Sequence, residues 1–194
     1  MMPPSDDTAL PAPPVEVFLS PGAVHCTSVP SRVTTILGSC VAVCLWDRVR
    51  RVGGINHFIL PYRRQERPSS RFGDFAIAHL VDEMQRLGCD LGAMRAKVFG
   101  GAAVLPFASG GDPVGEQNVR VAMEWLREHG IPVIAQRTGG RSGLVVRLFT
   151  ESGDVLVRRV ATIAVGTARS SHISPAQQGR PGDNSKVARL AVGR

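Results

Sequence analysis

Hydrophobic positions along this chain follow two different periods. Up to about residue 60 they come in short, β-branched, partly alternating runs, which predicts strands at 15–19, 32–37, 41–46 and 55–60. Ser20-Pro21-Gly22 punctuates the first of these and Gly38-Ser39 the second. Residues 23–31 fit no period. The polar, glycine-containing stretch 47–54 reads as a hairpin connection, and the Arg-rich stretch 62–71 as a mobile loop.

The period then changes. Ile77, Leu80, Val81, Met84 and Leu87 recur at spacings of three and four, predicting an amphipathic helix capped by Asp74 and stopped by Gly88. A second helix is expected over 116–129, with Val119, Ala122, Met123 and Leu126 on one face and Gly130 as its stop. Between and after the helices, strands are expected at 94–99, 132–136, 144–149 and 155–160. The last two form a hairpin across Glu151-Ser152-Gly153. The order β, β, β, β, α, β, α, β, β, β is mixed α/β and does not alternate as a doubly wound sheet would.

Composition narrows this picture at the ends. Residues 1–14 are Pro-rich and polar, as a disordered segment is, and they lack the basic start and apolar core of a secretory signal. No run of 18 apolar residues occurs, so membrane insertion is not expected and a cytoplasmic location is. The 194 residues carry a net charge of +7. More than half of it lies in 169–194, where five basic residues face one acid, Asp183, among Ser, Pro and Gly. That distribution predicts a basic flexible tail after an ordered domain at 15–168. Without a reader motif it gives no expectation of a nucleic-acid partner. The four cysteines form no Cys-x-x-Cys pair, so neither a zinc site nor any other metal or cofactor is expected.

Chemistry concentrates where strand meets turn. Cys40 follows Gly38-Ser39, a small approach able to aim backbone amides at an oxyanion, and His57 lies on the next predicted strand. A thiol and an imidazole on rigid elements suit a cysteine nucleophile with a general base. The same residues fit a buried strand cysteine and a core histidine, and the pattern alone leaves both readings open. Thr34 and Thr35 are either plain strand formers or hydroxyls that orient the imidazole. The glycines at 100–115 lack the Lys-Ser/Thr of a phosphate loop and read as loop glycines.

Taken together, Leu37-Gly38-Ser39-Cys40-Val41-Ala42-Val43 followed by Gly53-Gly54-Ile55-Asn56-His57-Phe58-Ile59-Leu60-Pro61 resembles the CheD family of chemoreceptor glutamine deamidases. Arg71-Phe72-Gly73, Ala96-Lys97-Val98-Phe99-Gly100-Gly101-Ala102, Val114-Gly115-Glu116-Gln117-Asn118 and Gly139-Gly140 extend the likeness over about residues 15–160. The resemblance implies an α/β/β/α sandwich-like fold, similar to the catalytic domains of glutamine-deamidating toxins. It implies Cys40 as nucleophile, His57 as general base and acid, and Thr34 as the residue orienting His57. The implied activity is hydrolysis of chemoreceptor glutamine side chains to glutamate through a cysteine thioester. The implied partner is the receptor's cytoplasmic helical domain, with a CheC-type phosphatase left open as a second. A non-catalytic receptor-binding adaptor is the alternative. Arg137, where the family commonly carries an acid, Gly143-Leu144 in place of Gly-Arg, and Phe72 in place of Tyr depart from the family pattern.

Overall fold

A computed structural model describes residues 12–63, 67–103, 112–160 and 188–190. The strands are β1 (Val15–Phe18), β2 (Val24–Thr27), β3 (Ser31–Leu37), β4 (Val41–Asp47), β5 (Val52–Asn56), β6 (Met94–Gly100), β7 (Val133–Thr138), β8 (Leu144–Phe149), β9 (Val155–Arg159) and β10 (Ala188–Leu190). Helix α1 spans Gly73–Arg86 and α2 spans Val114–Glu128. The first sheet has the order β1-β3-β8-β9-β10, the second β2-β5-β4-β6-β7.

The two sheets face each other across one apolar layer. Val33, Leu37, Val146, Leu148, Val155 and Val157 of the first sheet pack on Ala42, Cys44, Ile55 and Phe99 of the second. The opposite face of the second sheet, with Val41, Val43, Leu45 and Val98, is covered by Ile77, Leu80 and Met84 of α1 and by Ala122 and Leu126 of α2. β4 is therefore buried on both faces, all seven of its residues included, which is why its sequence is a continuous apolar run rather than an alternation. The expected mixed α/β class is what forms. Both described helices lie on the second sheet, so the described residues build three layers, helix, sheet and sheet.

Local chemistry explains where the expectations and the fold differ. Asp74 is not a cap: Phe72 occupies that position without a side-chain hydrogen bond, and Asp74 sits in the first turn of α1, where a carboxylate favours the helix dipole. Leu87 falls off the buried stripe, at the C-cap, and is 42% exposed. The stretch 47–54 is only partly a connection, because β5 begins at Val52. Its paired glycines are strand residues that permit close packing: a Cβ on Gly54 would stand 2.7 Å from Leu80 Cδ1. β2 comes from the stretch without a period, and its half-buried residues pair with β5 at the sheet edge. Ala188–Leu190, within the expected tail, pairs antiparallel with β9. The expected ordered residues 161–168 lie outside the described ones.

Candidate active site

The site forms where β3 leaves the first sheet and β4 enters the second. Leu37 closes β3, Gly38-Ser39 turns the chain, and Cys40 precedes the first residue of β4. The turn is tied down by its carbonyls. Ala102 N donates to Gly38 O at 2.9 Å, and Gly101 N donates to Cys40 O at 2.8 Å. Gly100 makes this approach possible: its φ is +107°, and a Cβ there would lie 2.2 Å from Cys40 O.

His57 is placed by a break in the β4–β5 ladder. Regular pairing ends at Cys44–Ile55. Asn56 then uses its side-chain oxygen, not its backbone, to accept from Val43 N at 2.9 Å. Pairing resumes at Val41 and Phe58, whose N–H and C=O groups exchange bonds of 3.1 and 3.0 Å. Cys40 and His57 flank that pair on opposite strands and share the inter-sheet face, as diagonal neighbours whose Cα atoms such registers hold about 7–8 Å apart. The structure thus brings both residues to one end of the inter-sheet layer.

The hydroxyl beside the imidazole belongs to Thr35, at 2.8 Å from His57 Nδ1. Strand parity decides this. Along β3, Val33, Thr35 and Leu37 are buried and Ile36 is exposed, so Thr35 enters the inter-sheet layer and Thr34 faces out. Thr34 Oγ1 instead accepts from Arg147 Nε at 3.0 Å, its cross-strand partner on the outer face. The position expected to orient His57 is therefore corrected by one residue, and with it by one face of the sheet.

Thr35 also fixes the imidazole tautomer. Its single hydroxyl proton goes to Leu19 O at 2.8 Å, so toward His57 it acts as acceptor. Nδ1 then carries the hydrogen and Nε2 keeps its lone pair. Nε2 is buried and has no hydrogen-bond partner among the described residues. His57 is 1% exposed, and burial lowers its pKa to about 4, against a smaller raising effect of the Leu19 carbonyl. Cys40 is half-buried and unpaired with another cysteine. Burial pushes its thiol up, opposed by its own backbone amide. The resting pair is a neutral thiol and a neutral imidazole.

Asn118 on α2 closes the Val114–Asn118 motif, and its local sequence does not announce its role. It is fully buried. Its amide nitrogen donates to Ser39 O at 3.0 Å and Ile59 O at 2.9 Å, one carbonyl from each strand of the site. Its Oδ1 has no partner among the described residues. A sequence signal exists only in hindsight: an Asn whose helix neighbours at i+3 and i+4, Val121 and Ala122, are core residues.

Comparison with known proteins identifies the family. The family model described as CheD chemotactic sensory transduction matches residues 59–159, just after His57. A Rhodospirillum rubrum protein named "Probable chemoreceptor glutamine deamidase CheD" is 50% identical over 84% of this chain and 92% of its own length. A like-named protein of Anaeromyxobacter dehalogenans is 40% identical over 75% of this chain and 85% of its own. One from Trichlorobacter lovleyi is 41% identical over 73% and 89%. The chain belongs to the CheD family.

Proposed function

We propose that this protein hydrolyses glutamine side chains of chemoreceptors to glutamate, with Cys40 as nucleophile and His57 as general base and acid. One observation carries the reading: His57 Nδ1 is held by Thr35, while Nε2 is buried, unpartnered and on the face that Cys40 shares. The names of the relatives supply the substrate.

His57 Nε2 takes the Cys40 proton as Sγ attacks the amide carbon. The tetrahedral oxyanion forms beside the Gly38-Ser39 turn, whose backbone amides serve as its donors. Collapse breaks the C–N bond, and His57 returns its proton to the departing ammonia. This leaves a thioester on Cys40. Water, deprotonated by the same nitrogen, attacks the thioester carbon and releases glutamate and the free thiol. Amide and water give carboxylate and ammonium, so no redox partner enters the balance. Each event adds a negative charge to a receptor helix, and like charges one turn apart destabilise a helix by about 0.2–0.5 kcal/mol per pair. Summed over sites, such changes bias a two-state receptor.

The test is incubation with a receptor cytoplasmic fragment, followed by peptide mass spectrometry for replacement of an amide –NH2 by –OH. Wild type is expected to modify glutamine, and Cys40→Ala is not. Deamidation by Cys40→Ala ends the proposal. A receptor effect that survives Cys40→Ala without any mass change supports the adaptor reading instead.

A further inference from the structure

Beside the turn that carries Cys40 lies a shallow pocket of about 280 Å³ lined by Arg137, Arg141 and Arg159, with Ser142 between them in sequence. Three segments supply the arginines: β7, the turn after it, and the last residue of β9. Hydrogen bonds locate the pocket. Gly139 N donates to Gly100 O, and Ala103 N to Gly140 O, both at 2.8 Å. Gly100 stands opposite Val41, the residue after Cys40. In the other sheet Arg159 stands opposite Leu144, and Leu144 opposite Leu37, three residues before Cys40. The arginines therefore gather at the same end of both sheets as the thiol.

None of the three joins an ion pair among the described residues, whereas Arg32, Arg86, Arg120 and Arg127 each do. Among the described residues the pocket's lining holds three guanidinium groups and no carboxylate, an arrangement whose mutual repulsion a bound anion relieves. Guanidinium forks match carboxylate geometry two bonds at a time.

We infer that Arg137, Arg141 and Arg159 form a carboxylate-recognition site, taking a glutamate or aspartate side chain of the substrate helix near the glutamine that enters the Cys40 site. This rests on the deamidase reading and extends it to substrate choice. It has a consequence for the order of events. The product is itself a glutamate, so a first deamidation creates a ligand for the pocket and favours a second at a neighbouring glutamine.

The experiment uses the full-length chain carrying Cys40→Ala, which removes turnover, and two labelled helical peptides. Each holds one target glutamine, flanked at the adjacent helical turns by glutamates in one peptide and glutamines in the other. Fluorescence anisotropy at low salt is expected to show the glutamate-flanked peptide binding about fivefold tighter. The preference is expected to vanish in Arg137→Gln/Arg141→Gln/Arg159→Gln and in roughly 0.5 M salt. It should persist in a charge-matched Arg48→Gln/Arg86→Gln/Arg127→Gln control. Equal binding of the two peptides, a preference that survives the pocket substitutions, or one lost equally in the control overturns the inference. Displacement of the peptide by inorganic phosphate but not by free glutamate overturns it as well. Turnover of the same peptides by wild type separates the two claims: deamidation without a binding preference removes the pocket alone, and a preference without deamidation removes the deamidase reading alone.

Discussion

Thr35 Oγ1 lies 2.8 Å from His57 Nδ1 and donates its own hydrogen bond to the Leu19 carbonyl, also at 2.8 Å. One hydroxyl thus links the end of β1, the middle of β3 and the histidine that follows β5. Thr35→Val keeps the shape and removes the hydroxyl that bridges a buried N–H and a buried carbonyl. The expected loss of stability is about 1–3 kcal/mol by denaturant titration. Deamidase turnover is expected to fall on the order of tenfold to a hundredfold as the ring loses its orientation. Thr35→Ser should recover most of both. Thr34→Ala, on the outer face, should leave turnover near wild type. If Thr34→Ala is the damaging change and Thr35→Val is mild, the assignment made from strand parity is wrong.

The neutral resting pair makes a spectroscopic and a kinetic prediction. With His57 lowered to about 4 and Cys40 pushed up by burial, no thiolate–imidazolium pair exists at neutral pH. Alkylation of Cys40 by iodoacetamide is expected to be slow at pH 7 and to rise about tenfold per pH unit through pH 9, because only the thiolate reacts. The ultraviolet band of a thiolate should be missing at pH 7 in a difference spectrum against Cys40→Ala. The deamidation rate should hold down to about pH 5, since His57 remains an available base there. A plateau of fast alkylation below pH 7 would show an ion pair and overturn the neutral-pair picture.

Much of this arrangement could be read from the residues alone, because the strands announce themselves by composition and Cys40 sits at an interrupted run. The two helices were legible from the spacing of Ile77, Leu80, Val81 and Met84 and of Val119, Ala122 and Leu126. Tertiary pairing decided the rest. β2 has no alternation because all four of its residues are half-buried. The choice between Thr34 and Thr35 turns on which face of β3 meets the second sheet, and two adjacent threonines are equivalent until that face is known. Asn118 lies 78 residues after Cys40, and nothing in its local sequence says that its amide will reach Ser39 and Ile59. The gathering of Arg137, Arg141 and Arg159 needs two strands from different sheets to end side by side.

Asn118 gives the third prediction. Its amide nitrogen joins the carbonyls of Ser39 and Ile59, so it sets the separation of the two strands that bear Cys40 and His57. Asn118→Leu keeps the approximate volume and leaves both carbonyls without that donor. A positioning role predicts a fall in kcat on the order of tenfold or more with KM nearly unchanged and the acid limb of the pH profile unmoved. A loss confined to thermal stability, with kcat intact in the folded fraction, would reduce Asn118 to a packing residue.

Gly100 tests the turn from its other side. With φ at +107° and only 2.2 Å between an added Cβ and Cys40 O, Gly100→Ala must either displace the Cys40 carbonyl or break the bond from Gly101 N to it. The expected result is folded protein with turnover reduced at least as much as in Asn118→Leu, because the strain falls on the peptide of Cys40 itself. Gly130→Ala, in the turn after α2, is the control, since it also has a positive φ but meets nothing within 4 Å. Equal effects of the two substitutions would trace the loss to backbone strain alone.

The last prediction concerns acid stability. His57 ordinarily titrates near 6.5 and is lowered to about 4 in the fold. Between those values the unfolded chain binds a proton that the folded chain does not, so stability falls as pH drops from about 6.5 towards 4 and this contribution is exhausted below 4. Full loss amounts to roughly 3 kcal/mol for such a displacement. Urea titrations of wild type and His57→Gln across pH 4 to 7 isolate the term, because the carboxylates titrate in both. Wild type should lose more stability than the variant over that interval. Parallel curves would mean that His57 takes up its proton in the folded state near its ordinary value, and a base buried as deeply as this one would then need an acceptor near Nε2.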